Sequence, residues 1–237
     1  MKVTICSSFR NASGFVGRYF HQVSDLEHEL WRRGDKLGAI WCEGDSKDDT
    51  WRMLQSQCKG FGNIADELYH CDLFRFHHGG PDHGSVVNAE RFANLAKVCN
   101  AIWQRLPQDA DVVIWCESDL VWNAETMLTL IDTLSHFPVV APMVMLEREG
   151  YPQPFFYDSW GLRKDGRHID PMPPYFAGWD MTTPLQVDSA GSCLVMRGDI
   201  ARRVTWPSED VIVGLCRAIR ENGGSIWLLP TEKVIHL

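Results

Sequence analysis

Residues 112–116, VVIWC, run for five positions without a polar side chain; the chain then sets Glu117 and Asp119 two apart and turns apolar again at Leu120. A half-exposed strand alternates, whereas a uniform run of β-branched and aromatic residues belongs to a strand covered on both faces, the kind found in parallel sheets. Parallel strands need crossovers, so helices must flank this one. The preceding sequence supplies them. Residues 2–6 read as a strand, and Phe15, Tyr19, Phe20, Val23, Leu26 and Leu30 recur at helical spacing before Gly34. A second strand over 37–42, a short helix over 51–57 and a third strand over 69–76 follow. Phe92, Leu95, Ala96, Cys99, Ile102, Trp103 and Leu106 then mark the apolar face of a long helix that leads directly into residue 112. This order predicts an α/β fold, Rossmann-like and doubly wound, with a mostly parallel central sheet and helices on both faces.

The second half is less regular. Between 137 and 184, prolines, glycines and aromatic residues interleave, which reads as ordered loops and short strands rather than a second wound sheet. Residues 186–197 read as a strand pair or one strand bent at Gly191; Ser208 is placed to cap a helix through Ile219, and 225–229 form a last strand. A chain of 237 residues suits one domain with one substantial core. Its net charge of −8 argues against nucleic-acid binding by broad phosphate neutralisation. No run approaches 18 apolar residues and the start, MKVTICSSFR, lacks signal-peptide character, so the expectation is a cytoplasmic protein without membrane insertion. Eight cysteines without C-x-x-C spacing, several of them in strand-like contexts, are expected as buried thiols rather than disulfides or a zinc site.

Glu117 and Asp119 fall at the C-terminal end of the predicted buried strand, the edge where open α/β sheets bind ligands. Two acids in that spacing can converge on a divalent cation through oxygen ligands; they equally fit a turn before a helix capped by Asn123. The first loop, SSFRNASG, contains no G-x-G-x-x-G, and no Walker motif exists. A nucleotide would therefore be held through a metal and side chains. Candidates are Ser7, Arg10 and Asn11 after the first strand, Glu43 and Asp45 after the second, Asn88 and Arg91 at the start of the long helix, and Ser118 between the acids. Each also fits a solvated loop or helix surface.

The closing stretch PSEDVIVGLCRAIRENGGSIWLLPTEKVIHL carries Ser208, Glu209 and Asp210 opening a helix, Arg217 within it, a Gly pair closing it, a strand ending at Pro230, and a late His236. With the acid-x-acid triplet upstream, it resembles GT-A glycosyltransferases across nearly the whole chain. Family 2-like enzymes are one comparison; ERFANLAKVCNAIWQRLPQDADVVIWCESDLVW together with FFYDSWGLR is similar to the Anp1 and cryptococcal mannosyltransferase-like branches. The resemblance implies a GT-A type domain over 1–237, with a nucleotide-sugar-binding half (1–122) and a loop-rich acceptor-side half (123–237). It implies that Asp119, Glu117 in place of the usual first Asp, and His236 hold Mn2+ or Mg2+. Asp210, beside Glu209, becomes the general base of an inverting enzyme, although Anp1-like relatives are retaining. Asp158, Trp160, Asp188 and Gly191 lie where the family arranges its sugar and acceptor surfaces.

The implied activity is transfer of a sugar from a nucleoside diphosphate sugar to a hydroxyl acceptor, a carbohydrate or small molecule in preference to DNA. One alternative is transfer to hydroxymethylpyrimidine in phage DNA, with Arg163, Lys164, Arg167 and His168, joined by Arg202 and Arg203, tracking phosphates. Another is a non-catalytic nucleotide-sugar or carbohydrate-binding module on the same fold.

Overall fold

The structure, a computed structural model, describes residues 1–59, 71–80, 87–147, 155–169 and 173–237. Its elements run β1 (Lys2–Phe9), α1 (Val16–Arg32), β2 (Lys36–Glu43), α2 (Thr50–Cys58), β3 (Cys71–Arg75), α3 (Ala89–Trp103), β4 (Val112–Cys116), β5 (Leu120–Val121) and α4 (Ala124–Thr133). The second part continues with β6 (Val139–Leu146), β7 (Phe155–Phe156), β8 (Arg163–Lys164), β9 (Arg167–His168), β10 (Leu185–Val187), β11 (Cys193–Arg197), α5 (Gly198–Ala201), α6 (Val211–Glu221) and β12 (Ile226–His236). The expected third strand is present from Cys71; positions 69 and 70 lie outside the described residues.

Among the described residues one ten-stranded sheet organises the chain: eight strands follow the order β10-β12-β6-β11-β4-β1-β2-β3, and β5 on β12 and β7 on β6 complete it. β3, β2, β1 and β4 are mutually parallel. β11 is antiparallel to both of its neighbours, and β6 and β12 are parallel to each other. The uniform apolar character of β4 has a direct cause: Val112, Ile114 and Cys116 enter one core with α1 and α4, while Val113 and Trp115 enter the other with α3 and α6.

Three expectations are corrected. The segment expected to be ordered loops and short strands contains β6, a full eight-residue strand in the middle of the sheet, with Pro142 inside it. Pro142 is tolerated because β11 pairs with β6 only at Val139 and Val140, and the partner register on β12 shifts just beyond Leu229, the residue opposite Pro142. The stretch 186–197 is not a strand pair: β10 lies on β12 at the sheet edge, while β11 lies between β4 and β6. Cys58 and Cys71 form a disulfide, because the end of α2 and the start of β3 bring their Cα atoms to 5.8 Å. The other six cysteines are buried thiols, as expected.

The last strand is longer than 225–229 and reaches the functional edge of the sheet. β12 continues past its irregularity to pair His236 with Leu120 of β5 on one side and with Leu146 of β6 on the other. The basic cluster over 163–168 is the hairpin β8–β9, turned at Asp165 and Gly166, both at positive φ. Among the described residues, no helix is long and apolar enough to cross a membrane.

Candidate functional site

The C-terminal ends of the parallel strands converge where β4 runs out. Asp119 sits in the turn between β4 and β5, and the β5–β12 pairing delivers His236 beside it. His236 Nε2 lies 3.3 Å from Asp119 Oδ2, and Glu117 completes a trio whose ligand atoms all fall within 4.8 Å of one another. Tyr157 stacks on the His236 ring at 4.0 Å between centroids and fixes its plane. Asp119 Oδ1 and His236 Nδ1 are buried without a hydrogen-bond partner. Buried polar atoms are nearly always paired, so two orphans on adjacent side chains are a deficit that a bound cation would remove. Burial and the neighbouring Asp119 charge push the Glu117 carboxyl up to about 7, another strain that a divalent ion relieves. Two carboxylates and an imidazole suit manganese or magnesium on the oxygen side, and manganese on the nitrogen side.

Arg18 of α1, a residue the sequence reading passed over, holds this turn from below. Its guanidinium donates to Gln22 Oε1 at 2.6 Å and to the carbonyls of Leu120 and, at 3.4 Å, Ser118. Both flanks of Asp119 are thereby fixed to a helix. Arg18→Met keeps the aliphatic stem and removes these bonds; Mn2+ affinity is expected to fall roughly tenfold, as for loss of an outer-shell support, with the helical circular dichroism unchanged. Unchanged affinity in calorimetry would remove Arg18 from this role.

The loops after β1, β2 and β3 are tied together. Asp45, at φ 57, accepts hydrogen bonds from His77 Nδ1 (2.7 Å) and from the backbone N–H of His78 and Gly79 (3.0 Å each). Burial raises its pKa, but those donors outweigh it and hold the carboxyl at about 2. Arg10 reaches His78 Nε2 and the Gly80 carbonyl, each at 3.3 Å, and the Asn11 side chain accepts from Lys47 N–H. A carboxyl depressed in the folded state adds stability above its unfolded pKa, and that stability is lost as pH falls through the folded value. Asp45→Asn is therefore expected to lower the urea midpoint at pH 6, with the deficit shrinking from about pH 4 and vanishing near pH 2. A deficit independent of pH in that range would assign the effect to packing.

Other predicted residues are engaged inside the protein. Ser7 is fully buried, its hydroxyl bonded to Tyr19 Oη and to the Cys116 carbonyl, so it offers nothing to a ligand in this arrangement. Glu43 is likewise buried, accepting from Arg75 Nε at 2.7 Å and from Ser46 N–H. Asn88 caps α3 by accepting from Arg91 N–H. Asp188 accepts from Gly166 N–H and lies 3.5 Å from Arg220. Ser118 is buried between the two acids.

Next to the acids opens a cavity of about 300 Å³, with Glu117, Asp158, Trp160 and Gly191 in its lining. Asp158 braces the cavity: its two oxygens accept the N–H groups of Gly161 (2.9 Å) and Gly191 (2.8 Å). A Cβ at Gly191 would lie 3.0 Å from each Asp158 oxygen, so any larger residue would press on that carboxylate by a few tenths of an ångström. Burial pushes the Asp158 carboxyl up to about 7 against the pull of those two donors. Opposite Glu117, whose N–H donates to the Ser192 carbonyl, Ser192 adopts φ 60 and turns the chain into β11.

The cavity also meets the start of α6. The expected cap, Ser208, lies outside the helix; the N-cap is Asp210, at φ 59, with Val211 at φ 35. The Asp210 side chain makes no capping bond, while its carbonyl accepts from Val213 N–H. Non-glycine residues at positive φ concentrate at functional sites. Glu209 is exposed immediately before it.

Among solved structures, S. aureus TarS 1-349 superposes on 100% of this chain with a TM-score of 0.60 at 12% identity. The fold is that of the GT-A glycosyltransferases. A mannosyltransferase from Pyrobaculum calidifontis, in complex with GDP-Man and Mn2+, matches this GT-A chain over 99% at a TM-score of 0.60 and 11% identity. TarS 1-349 in complex with UDP-GlcNAc matches 99% at 0.58 and 12%. The chain spans about three fifths of the length of these proteins, 60%, 56% and 58% respectively. No protein-family model matches the sequence, and no curated protein is significantly similar to it.

Proposed function

We propose that this protein is a metal-dependent glycosyltransferase that moves a sugar from a nucleoside diphosphate sugar to a hydroxyl acceptor. The reading rests on one observation above the others: Glu117, Asp119 and His236 converge at the C-terminal edge of a GT-A sheet, and two of their buried side-chain polar atoms lack any hydrogen-bond partner. Solved proteins of the same fold carry GDP-Man with Mn2+, or UDP-GlcNAc, which supports a nucleotide-sugar donor here.

In this reading Asp119 and His236, with Glu117 behind them, hold Mn2+ or Mg2+, and Tyr157 and Arg18 keep the ligands in place. A divalent ion held by these residues would supply the positive charge that neutralises the diphosphate as it leaves. Arg10, Asn11 and Asp45 form the nucleotide side, with Glu43 and Asn88 supporting their loops and Arg91 and Ser118 bordering the diphosphate. Asp210 takes the proton from the acceptor hydroxyl. The acceptor oxygen then bonds to the anomeric carbon as the bond from that carbon to the diphosphate oxygen breaks, and configuration inverts. The Asp210 carboxylate suits that task, since no cap bond occupies it. Asp158, Trp160, Asp188 and Gly191 shape the sugar and acceptor side.

The test is calorimetry of UDP and GDP with and without Mn2+, followed by nucleotide release from a panel of their sugars. Mn2+-dependent binding and release support the reading. Binding of the nucleotide with no metal dependence and no release from any sugar would leave a binding module and overturn the enzyme.

A further inference from the structure

Asp119, His236 and Glu117 each have a different support. Arg18 fixes the chain on either side of Asp119, and Tyr157 lies on the His236 ring. Glu117 is held by a backbone turn. β11 pairs with β4 as far as Cys193 opposite Cys116, and one further bond, from Glu117 N–H to the Ser192 carbonyl at 2.9 Å, carries the pairing on to the acid. The Ser192 hydroxyl is hydrogen-bonded to the Glu117 side chain as well. Ser192 thus grips Glu117 through both its backbone and its side chain.

Ser192 does so in a conformation that serine disfavours. Its φ is 60, and Cys193 N–H donates across it to the Gly191 carbonyl at 2.6 Å, closing a three-residue turn. A left-handed backbone at a non-glycine residue persists only where its surroundings impose it. Asp158 is the side chain in place to do this. Its Oδ2 accepts Gly191 N–H at 2.8 Å while its Oδ1 accepts Gly161 N–H at 2.9 Å, so one carboxylate spans two chain segments. A Cβ at Gly161 would come within 2.3 Å of Oδ1, a contact that glycine avoids with the carboxylate in place. The segment that carries Asp158 is anchored in turn: Ser189 Oγ donates to the Gly161 carbonyl at 2.6 Å, and Arg163 N–H to the Ser189 carbonyl at 3.1 Å.

We propose that Asp158 is a positioning residue for the cation site: through Gly191 it imposes the turn at Ser192, and that turn directs the Glu117 carboxylate toward Asp119 and His236. The cation part rests on the metal-dependent reading above. Two consecutive residues then reach the trio from different sides, Tyr157 by its ring on His236 and Asp158 through the turn on Glu117.

The first test uses the whole chain without metal. In Asp158→Asn one oxygen becomes an amide donor, so one of the two glycine N–H groups loses its acceptor. Hydrogen exchange at the Glu117 amide should quicken about fivefold, the worth of one ordinary hydrogen bond, while the amides of β2 keep their parental rates. Mn2+ affinity in calorimetry should fall about tenfold, the loss usual for an outer-shell support. Glycine takes φ 60 freely, so in a Ser192→Gly background the same Asp158→Asn change should cost no more than about threefold. A carboxylate with a merely structural role would cost the same in both backgrounds. Gly161→Ala, which displaces the carboxylate from its other side, is expected to repeat the effects of Asp158→Asn and decides the matter if that variant does not fold. Parental exchange at Glu117 in these variants, or an equal loss of Mn2+ affinity with and without Ser192→Gly, would overturn the proposal. A parental chain that binds no Mn2+, with the Glu117 amide still responding to Asp158→Asn, would count against the metal-dependent reading and leave Asp158 as the support of Glu117.

Discussion

Asp119→Ala and His236→Ala are each expected to lower Mn2+ affinity, and with it nucleoside diphosphate affinity, by about a hundredfold or more, exceeding the loss usual for an outer-shell support. The size follows from the donor set. In the proposed site three protein ligands hold the ion, so removing one leaves too few to compete with water for it, and with the ion goes the proposed link between the diphosphate and this edge. Stability supplies an independent sign. In the metal-free protein Asp119 crowds Glu117, whose carboxyl its charge helps to raise to about 7. Removing Asp119 should therefore leave the thermal midpoint unchanged or higher, whereas a purely structural acid would lower it. Calorimetry with Mn2+ and UDP or GDP, beside thermal melts with and without metal, reads both. Parental affinity in either mutant would remove that residue from the site.

How much of this was legible in the sequence depends on the range of the interaction. The run 112–116 encodes its own double burial, and the periodicities of α1 and α3 are local, so the parallel half could be read directly. β6 was hidden by Pro142, which argues against a central strand unless one knows that β11 stops short of it. The capping of α6 by Asp210 rather than Ser208 depends on a left-handed backbone that no residue pattern there announces. Ser7 looked like a loop hydroxyl because β1 runs to Phe9, further than its apolar pattern suggested. Arg18 and Tyr157 act across about a hundred residues or through stacking, and a single sequence carries no mark of such partners. Only the aromatic run FFYDSW pointed toward Tyr157. The disulfide was missed for the same reason, since Cys58 and Cys71 meet through the α2–β3 crossover.

Asp210→Asn is expected to leave folding and Mn2+-dependent nucleotide binding near parental while transfer to a hydroxyl acceptor falls roughly a hundredfold or more, the usual range for loss of a general base. Asparagine is the informative replacement because it tolerates the left-handed conformation at φ 59, whereas alanine would add backbone strain and confuse the result. It also retains N-cap capacity, although the aspartate side chain makes no cap bond here. What asparagine lacks is basicity. Loss of the negative charge at the N-terminus of α6 costs about 0.3–1 kcal/mol of stability at most, too little to unfold the chain or to account for a hundredfold loss of rate. Slow hydrolysis of the donor by water offers a control, since in the proposed reading that reaction requires the cation site but not deprotonation of an acceptor hydroxyl. Donor hydrolysis should therefore fall far less than transfer. Transfer at the parental rate would exclude Asp210 as the base, and a product that retains the anomeric configuration would exclude single-step inversion whatever the rate.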